Sequence, residues 1–163
     1  MMDALLDFTG KVALVTGGSR GLGYQMVIGL AERGADIIIA SRKLEQCERV
    51  AEEVRQLGRK ALAVSTHVGQ WAQIDALIES AYQTFGRVDI LINNAGRSIR
   101  RSIKFTVGRF HDYERTMQLN YLASIRLAMN LLPGMEARNE GHIINVSTVG
   151  VQANPARFSA YLA

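Results

Sequence analysis

A glycine-rich turn, TGGSRGLG, occupies residues 16–23. Such a turn lets backbone amides approach a pyrophosphate closely, and the positive end of the following helix dipole attracts the phosphate charge. Its glycines follow a variant of the dinucleotide-binding pattern with a longer first gap. A tight connection would also use glycines, but KVALVT before the turn and GYQMVIGLAERG after it favour a phosphate site. We assign that site to Gly17, Ser19, Arg20, Gly21, Leu22 and Gly23.

A second candidate group lies in IIIASRK, residues 37–43. Proteins that select the unphosphorylated dinucleotide usually place an acid here to hold the ribose 2′-hydroxyl, whereas an arginine accommodates a 2′-phosphate. In this chain Ser41 stands in the position of the acid and Arg42 follows it, while Arg20 lies in the glycine turn. Two guanidinium groups near one dianion favour NADP(H). The alternative is that both arginines only extend into water.

The elements that would carry these turns alternate between apolar runs of strand length and longer runs of helical period. This alternation predicts a parallel sheet with crossover helices. Strands are expected at 11–16, 35–40, 61–66, 88–93 and 142–148, and helices near 21–33, 43–57, 70–86 and 111–132. Gly34, Gly58 and Gly86 are expected to end three helices, and Pro133 with Gly134 to end the last.

Right-handed crossovers in this order give an α/β fold, a doubly wound parallel sheet with helices on both faces, which is the Rossmann fold. We expect residues 1–163 to form a single domain. Ligands bind beyond the carboxyl ends of the strands in such sheets. The candidate positions are therefore the turns after Thr16, Ala40, Thr66, Asn93 and Thr148.

The composition, 48% hydrophobic and 21% charged, is typical of a globular protein rather than a disordered one. No run approaches the roughly 18 apolar residues of a membrane span. Asp3 and Asp7 argue against a secretory signal, and the one cysteine, Cys47, cannot pair within the chain, so we expect a cytoplasmic protein.

The net charge of +4 comes mostly from residues 97–109. We interpret this segment as a solvated surface rather than a nucleic-acid site, with an anionic small molecule or carrier as the alternative.

Four motifs occur in one order: TGGSRGLG at 16–23, NNAG at 93–96, Asn120 within MQLNYLA, and a tyrosine thirteen positions after a hydroxyl residue. Their joint spacing resembles the short-chain dehydrogenase/reductase family over essentially the whole chain. The resemblance implies hydride transfer between a nicotinamide and a carbonyl or alcohol substrate, and no metal. Residues 97–121 are similar to reductases of long acyl chains, which makes 3-oxoacyl thioesters, fatty aldehydes and acyl-CoA-derived compounds candidate substrates.

The resemblance implies catalytic roles for three residues. Tyr161 matches the tyrosine that donates a proton to the carbonyl oxygen, and Thr148 matches the hydroxyl residue that polarises this oxygen. Asn120 matches the residue that holds a relay water at a kink in the long helix; a helix asparagine that faces solvent is the alternative. Ser147 is the alternative to Thr148, and a regular strand would point these two side chains to opposite sides.

The resemblance also implies further cofactor contacts. Asn94, Ala95 and Gly96 match the segment that runs beneath the cofactor, and Asp89 is expected to support their turn. His67 and Val68 stand beside the expected adenine position, where the family often has an acid. The chain departs from the family pattern at this turn.

The family has a lysine four residues after its tyrosine, a position that would be 165 in this numbering. We therefore expect the chain to lack the C-terminal strands and substrate lobe, either as a fragment or as a true truncation. The 163 residues alone are expected to be nearly inactive, because a phenol with a pKa near about 10 needs a neighbouring cation. A nucleotide-binding module without turnover, truncated or regulatory, is the alternative function. The complete protein is expected to form a homodimer or homotetramer.

Overall fold

The computed structural model describes residues 6–162. Asp3 and Ala163, which entered the sequence predictions, lie outside these residues. The described residues form one sheet of five parallel strands in the order β3-β2-β1-β4-β5. The strands are β1 (Val12–Thr16), β2 (Asp36–Ser41), β3 (Ala61–Ser65), β4 (Ile90–Asn93) and β5 (His142–Asn145).

Helices lie in each connection between successive strands, and two short helices follow β5 in the described residues. The helices are α1 (Gly21–Glu32), α2 (Leu44–Gln56), α3 (Trp71–Phe85), α4 (Phe110–Met117), α5 (Ala123–Ala137), α6 (Gly150–Ala153) and α7 (Ser159–Leu162). A short 3-10 turn covers Ile103–Phe105, and a π turn at Gln118–Leu122 joins α4 to α5 in one long helix.

The sheet separates two apolar layers, because successive side chains of a strand point to opposite faces. One layer joins the sheet to α3 and α5 and includes Leu14, Ile38, Leu77, Leu91, Leu127 and Leu131. The other joins it to α1 and α2 and includes Val15, Val27, Ile37, Ile39, Val50 and Val54. Helices on both faces of a parallel sheet confirm the predicted doubly wound fold. Strand β1 lies between β2 and β4, so the carboxyl ends of β1 and β4 border the crevice where the strand order reverses.

The first four strands agree with the predicted ranges to within two residues. The predicted helix ends at Gly34, Gly58 and Gly86 are confirmed as well. Their φ angles are +97°, +77° and +70°, in the left-handed region that ends many helices.

The prediction that Pro133 and Gly134 close the last helix was wrong, because α5 continues to Ala137. Pro133 is exposed on the outer side of the helix, while Leu131 and Met135 continue the buried stripe inside. Burial of these two side chains outweighs the helix bond that proline removes. Gly134 serves close packing instead, since a Cβ atom there would collide with the hydroxyl of Tyr82.

Strand β5 ends at Asn145, three residues earlier than predicted. Its pairing partner β4 ends at Asn93, which is in register with Asn145, so no further strand backbone is available there. The backbone amide of Val146 still donates to the carbonyl of Asn93 at 2.9 Å, after which the chain leaves the sheet.

Candidate active site

A cavity of about 800 Å³ opens at the carboxyl ends of β1, β2, β3 and β4. Its lining brings together every residue predicted to bind a dinucleotide except Ser19. These lining residues are Gly17, Arg20, Gly21, Leu22, Gly23, Ser41, Arg42, His67, Val68, Asn94, Ala95 and Gly96. Ala40, Thr66, Arg97 and Leu119 complete the lining and were not predicted.

The glycine turn folds tightly over the start of α1. Gly17 has a φ of +65°, and a Cβ atom there would lie 2.9 Å from Nδ2 of Asn94. Tyr24 donates the first intrahelical hydrogen bond, to the carbonyl of Arg20, and no side chain caps the helix. The amides that precede Tyr24 have no intrahelical acceptor and lie where the helix dipole is positive, as a phosphate site requires.

Thr16 fixes the segment that follows β4, a role that the sequence reasoning missed. Its buried hydroxyl accepts hydrogen bonds from the backbone amides of Asn94 and Ala95, each at 3.0 Å. The side-chain amide of Asn94 donates in return to the carbonyls of Thr16 and Gly17, at 2.9 and 3.3 Å. The available signal was a hydroxyl residue at the end of an otherwise apolar strand.

Ser19 lies outside the cavity lining, and its hydroxyl donates to the Ser41 hydroxyl at 2.9 Å. Ser19 therefore holds the turn after β2 against the glycine turn. Beneath this turn, the fully buried Cys47 thiol lies 3.7 Å from the carbonyl of Ser41, and burial raises the pKa of this thiol.

Arg20 and Arg42 both line the cavity and are exposed there. Within residues 6–162, neither arginine forms an ion pair, and the cavity lining contains no aspartate or glutamate. An arginine-rich cavity without acids attracts anionic ligands.

The turn after β3 presents His67 and Val68 to the first cavity. The His67 Nδ1 atom accepts a hydrogen bond from the Gly69 amide at 3.1 Å, and the His67 amide donates to Gln73 at 2.6 Å. Gln118, in the π turn, donates to the Gly69 carbonyl at 2.7 Å. These bonds hold the imidazole ring in one orientation at the cavity wall.

A second cavity, of about 570 Å³, adjoins the first. It brings together the three residues to which the resemblance assigned catalytic roles, Asn120, Thr148 and Tyr161. Both cavities are lined by Leu22, Asn94, Ala95, Gly96 and Arg97. A dinucleotide in the first cavity and a second molecule in the other would therefore meet at this shared wall.

Ser147 and Thr148 both line the second cavity. The expectation that they face opposite sides does not apply, because β5 ends at Asn145 and the two residues lie in the irregular segment after it. The Thr148 hydroxyl accepts the Gly150 amide at 3.1 Å, which leaves its own proton available for donation.

Asn120 lies in the π turn, at the position where the resemblance implied a kink. Its side-chain Oδ1 accepts from the Arg97 amide at 2.9 Å, and its Nδ2 donates to the Arg97 carbonyl at 3.0 Å. The side chain therefore joins the long helix to the segment after β4. π turns are frequent at functional sites.

Tyr161 lies on the short helix α7, which the start of α4 holds in place. The Tyr113 and Ser159 hydroxyls are 2.9 Å apart, and the Arg101 amide donates to the Arg157 carbonyl at 2.6 Å. The guanidinium of Arg100 lies 5.9 Å from the ring centroid of Phe158. Part of the basic segment thus supports the tyrosine helix.

Asp112 anchors this support and is only 5% exposed. Its carboxylate lies 2.9 Å from Arg109 Nε and 3.3 Å from Arg101 Nε. The hydrogen bond from Arg109 lowers the pKa of Asp112 below its ordinary value, and the charges of His111 and Arg101 add to this effect.

The expected support of the NNAG turn by Asp89 was wrong. Asp89 precedes β4, at the edge of the sheet opposite to that turn, where its carboxylate accepts the Val12 amide at 2.9 Å and Arg87 Nε at 2.8 Å. It joins β1 to β4 and has no part in the cavities.

Neither a metal cluster nor a membrane helix is found in the part of the chain that the structure describes. Over residues 6–162, no three histidine, cysteine or acidic side chains are grouped as metal ligands. No helix in the same range has the length and apolar character needed to cross a bilayer.

Comparison with known proteins identifies the family and the fold of this chain. A family model described as short chain dehydrogenase matches residues 11–163. A fatty acyl-CoA reductase of Acinetobacter baylyi is 46% identical over 154 residues, which are 94% of this chain and 52% of the relative. The chain spans about half the length of the curated relatives it matches.

Two solved structures share the fold. A 7α-hydroxysteroid dehydrogenase complexed with NADH and 7-oxo glycochenodeoxycholic acid has a TM-score of 0.92 and 26% identity, covering 99% of this chain and 63% of its own. The L-sorbose reductase of Gluconobacter frateurii, complexed with NADPH and L-sorbose, has a TM-score of 0.90 and 31% identity, covering 96% and 59%.

Proposed function

Because the chain belongs to the short-chain dehydrogenase family, we propose that it acts as an NADP(H)-dependent oxidoreductase on a carbonyl or alcohol substrate. The observation that carries this proposal is the pair of adjoining cavities. The first contains the predicted dinucleotide residues except Ser19, the second contains Tyr161, Thr148 and Asn120, and both share the wall formed by residues 94–97.

The residues around the first cavity fit a dinucleotide. A Cβ atom on Gly23 would collide with the Gly17 carbonyl, so the turn can fold this tightly over the start of α1 only because Gly23 has no side chain. Backbone amides in such a turn can approach a pyrophosphate closely. Arg20 and Arg42 would hold the 2′-phosphate of NADP(H), and Ser41 replaces the acid that would repel it. We propose residues 1–163 as a single NADP(H)-binding domain on the same grounds.

Side chains of the second cavity provide general acid catalysis. NADPH, when bound, supplies a hydride to the carbonyl carbon of the substrate. The Tyr161 hydroxyl gives its proton to the carbonyl oxygen, and the Thr148 hydroxyl donates a hydrogen bond to the same oxygen. Asn120 fixes the Arg97 backbone and holds the shared wall in place during the reaction.

We propose an acyl-chain carbonyl compound as the substrate, either a fatty aldehyde or an acyl thioester. The similarity to a fatty acyl-CoA reductase supports this class. The apolar side of the second cavity, which includes Ile125, Ala128, Ile143 and Val151, suits an alkyl chain.

The test is NADPH oxidation by the protein expressed from its complete reading frame. Hexadecanal, palmitoyl-CoA and a 3-oxoacyl thioester would be compared with a short neutral ketone. We expect turnover with the long-chain substrates and a loss of about 10²- to 10⁴-fold in the Tyr161→Phe variant. NADPH affinity should stay unchanged in that variant, because Tyr161 does not line the first cavity.

A nucleotide-binding module without turnover is the second candidate function. It is favoured by the lining of the first cavity, which contains dinucleotide residues but none of Tyr161, Thr148 and Asn120, so that binding does not depend on the second cavity. Tight NADPH binding with no turnover of any substrate in the panel would select this alternative. Absence of NADPH binding would contradict both candidates.

We also propose that the protein forms homo-oligomers through α5. Outside the second cavity, this helix exposes a short apolar stripe, Met129 and Leu132, on the side away from its buried residues. An apolar stripe of this kind is typical of an interface. Light scattering after size exclusion should give a multiple of the chain mass, and Met129→Glu should reduce it. A monomeric wild-type protein would contradict this proposal.

A further inference from the structure

Arg97 differs from every other residue around the second cavity. It is the one charged side chain in that lining as the structure describes it over residues 6–162; the remaining lining residues are apolar, amide or hydroxyl-bearing. Arg97 is exposed while it lines both cavities, which puts it at their common mouth.

The backbone of Arg97 is fixed, but its guanidinium is not. Asn120 bonds to both the amide and the carbonyl of Arg97, at 2.9 and 3.0 Å, so the start of the side chain stays in place relative to the π turn. Among residues 6–162, no carboxylate forms an ion pair with Arg97, whereas Arg101 and Arg109 both pair with Asp112. Arg101 and Arg109 are thus engaged in structure, whereas Arg97 has no such partner among the described residues.

The described linings of both cavities contain no aspartate or glutamate, so the guanidinium of Arg97 creates a positive potential at their common mouth. This potential favours a molecule whose charge stays at the mouth while an uncharged part enters the cavity. The apolar side formed by Ile125, Ile143 and Val151 suits such a part.

We propose that Arg97 is a specificity-determining residue that pairs with an oxyanion carried by the substrate. This proposal rests on the proposed function and narrows its substrate class to anionic carbonyl compounds. The oxyanion is either a phosphate of a thioester carrier or a carboxylate of the substrate itself, since a guanidinium binds both in the same bidentate way.

The test compares Arg97→Gln with wild type on four substrates of the complete protein. Palmitoyl-CoA carries phosphates, S-palmitoyl pantetheine is its phosphate-free counterpart, 16-oxohexadecanoate carries a carboxylate, and hexadecanal is neutral. We expect KM to rise about tenfold or more for at least one anionic substrate and less than about twofold for the neutral ones. The kcat should stay unchanged, because the lost contact is made equally before and during the reaction.

The pattern of KM changes across the four substrates identifies the oxyanion that Arg97 binds. An effect on palmitoyl-CoA but not on S-palmitoyl pantetheine assigns Arg97 to a carrier phosphate, and an effect on 16-oxohexadecanoate assigns it to a carboxylate. Arg97→Lys should recover part of the affinity. Lys104→Gln is the matched control, since it removes one exposed cation from the same segment outside both cavities.

Equal effects on all four substrates, or no effect on any, would overturn the proposal. So would a weaker NADPH affinity of the same size, which would assign Arg97 to the cofactor. If NADPH binds but nothing is reduced, the proposed function fails, and calorimetric binding of palmitoyl-CoA, 16-oxohexadecanoate and hexadecanal to wild type and Arg97→Gln decides the role of Arg97 separately.

Discussion

Gly23, at the start of α1, lies directly against the carbonyl oxygen of Gly17, so that no Cβ atom fits between them. Gly23→Ala should therefore displace the turn that faces the first cavity. We expect a loss of about 1–3 kcal/mol in the free energy of unfolding and at least about tenfold weaker NADPH binding, equivalent to about 1.4 kcal/mol. Chemical denaturation and a fluorescence titration measure the two effects.

Gly29→Ala is the matched control on the same helix. A Cβ atom there would meet only the Arg33 guanidinium, at 4.0 Å. Replacing a helix-interior glycine by alanine should stabilise the protein by about 0.5–1 kcal/mol and leave NADPH affinity unchanged. Equal effects of the two substitutions on binding would contradict the proposed role of the turn.

The hydroxyl donor of the second cavity can be identified by two substitutions. Thr148→Val removes a hydroxyl while keeping the shape of the side chain, and Ser147→Ala removes the neighbouring one. We expect a fall in kcat of about 10²-fold or more for Thr148→Val and little change for Ser147→Ala. Steady-state kinetics of the complete protein measures both, and the reverse pattern would move the role to Ser147.

Much of the fold was predictable because it depends on local patterns. Apolar runs of strand length and glycines at helix ends act over a few residues, and Gly34, Gly58 and Gly86 adopt the expected left-handed backbone. The end of the last helix was not predictable, since burial of Met135 beneath α5 is a tertiary effect that outweighs the proline at 133.

The candidate site likewise combines features that local sequence patterns predict with features that depend on long-range contacts. The glycine turn, Ser41 with Arg42, and His67 line one cavity because the carboxyl ends of parallel strands meet. The roles of Thr16 and Arg97 depend on contacts with residues 94–95 and with Asn120, which are far away in the sequence. The alternation argument for Ser147 and Thr148 lost its basis because the strand ends at Asn145, where its partner ends. The catalytic roles of Asn120, Thr148 and Tyr161 stay predictions.

Asp112 should contribute to the pH dependence of stability. Its pKa is lowered in the folded protein, first by the hydrogen bond from Arg109, so the folded state binds a proton less readily than the unfolded state. The resulting stabilisation is complete above the unfolded pKa of about 3.9 and is lost as the pH falls through the folded pKa. Asp112→Asn should therefore flatten the acid side of the curve of unfolding free energy against pH. An unchanged slope between about pH 2 and 6 would contradict the role of this carboxylate as an anchor.

Cys47 should react very slowly in the native protein. Its thiol is fully buried beneath Ser41, and burial raises its pKa, so the reactive thiolate is scarce at neutral pH. We expect modification by a thiol reagent to occur on the timescale of global unfolding and to become rapid in denaturant. Mass spectrometry after timed labelling measures the rate, and fast labelling of the native state would show that the turn above Cys47 opens readily.

The central claim is that the cavity between the glycine turn and Arg42 binds a phosphorylated nicotinamide dinucleotide. Titration of the protein with NADPH and with NADH, followed by nicotinamide fluorescence, tests it most directly. We predict that NADPH binds at least about tenfold more tightly than NADH and that Arg42→Asp reverses this preference, because the new carboxylate repels a 2′-phosphate and accepts a 2′-hydroxyl. A wild-type protein that binds neither dinucleotide, or binds both with equal affinity, would contradict the claim.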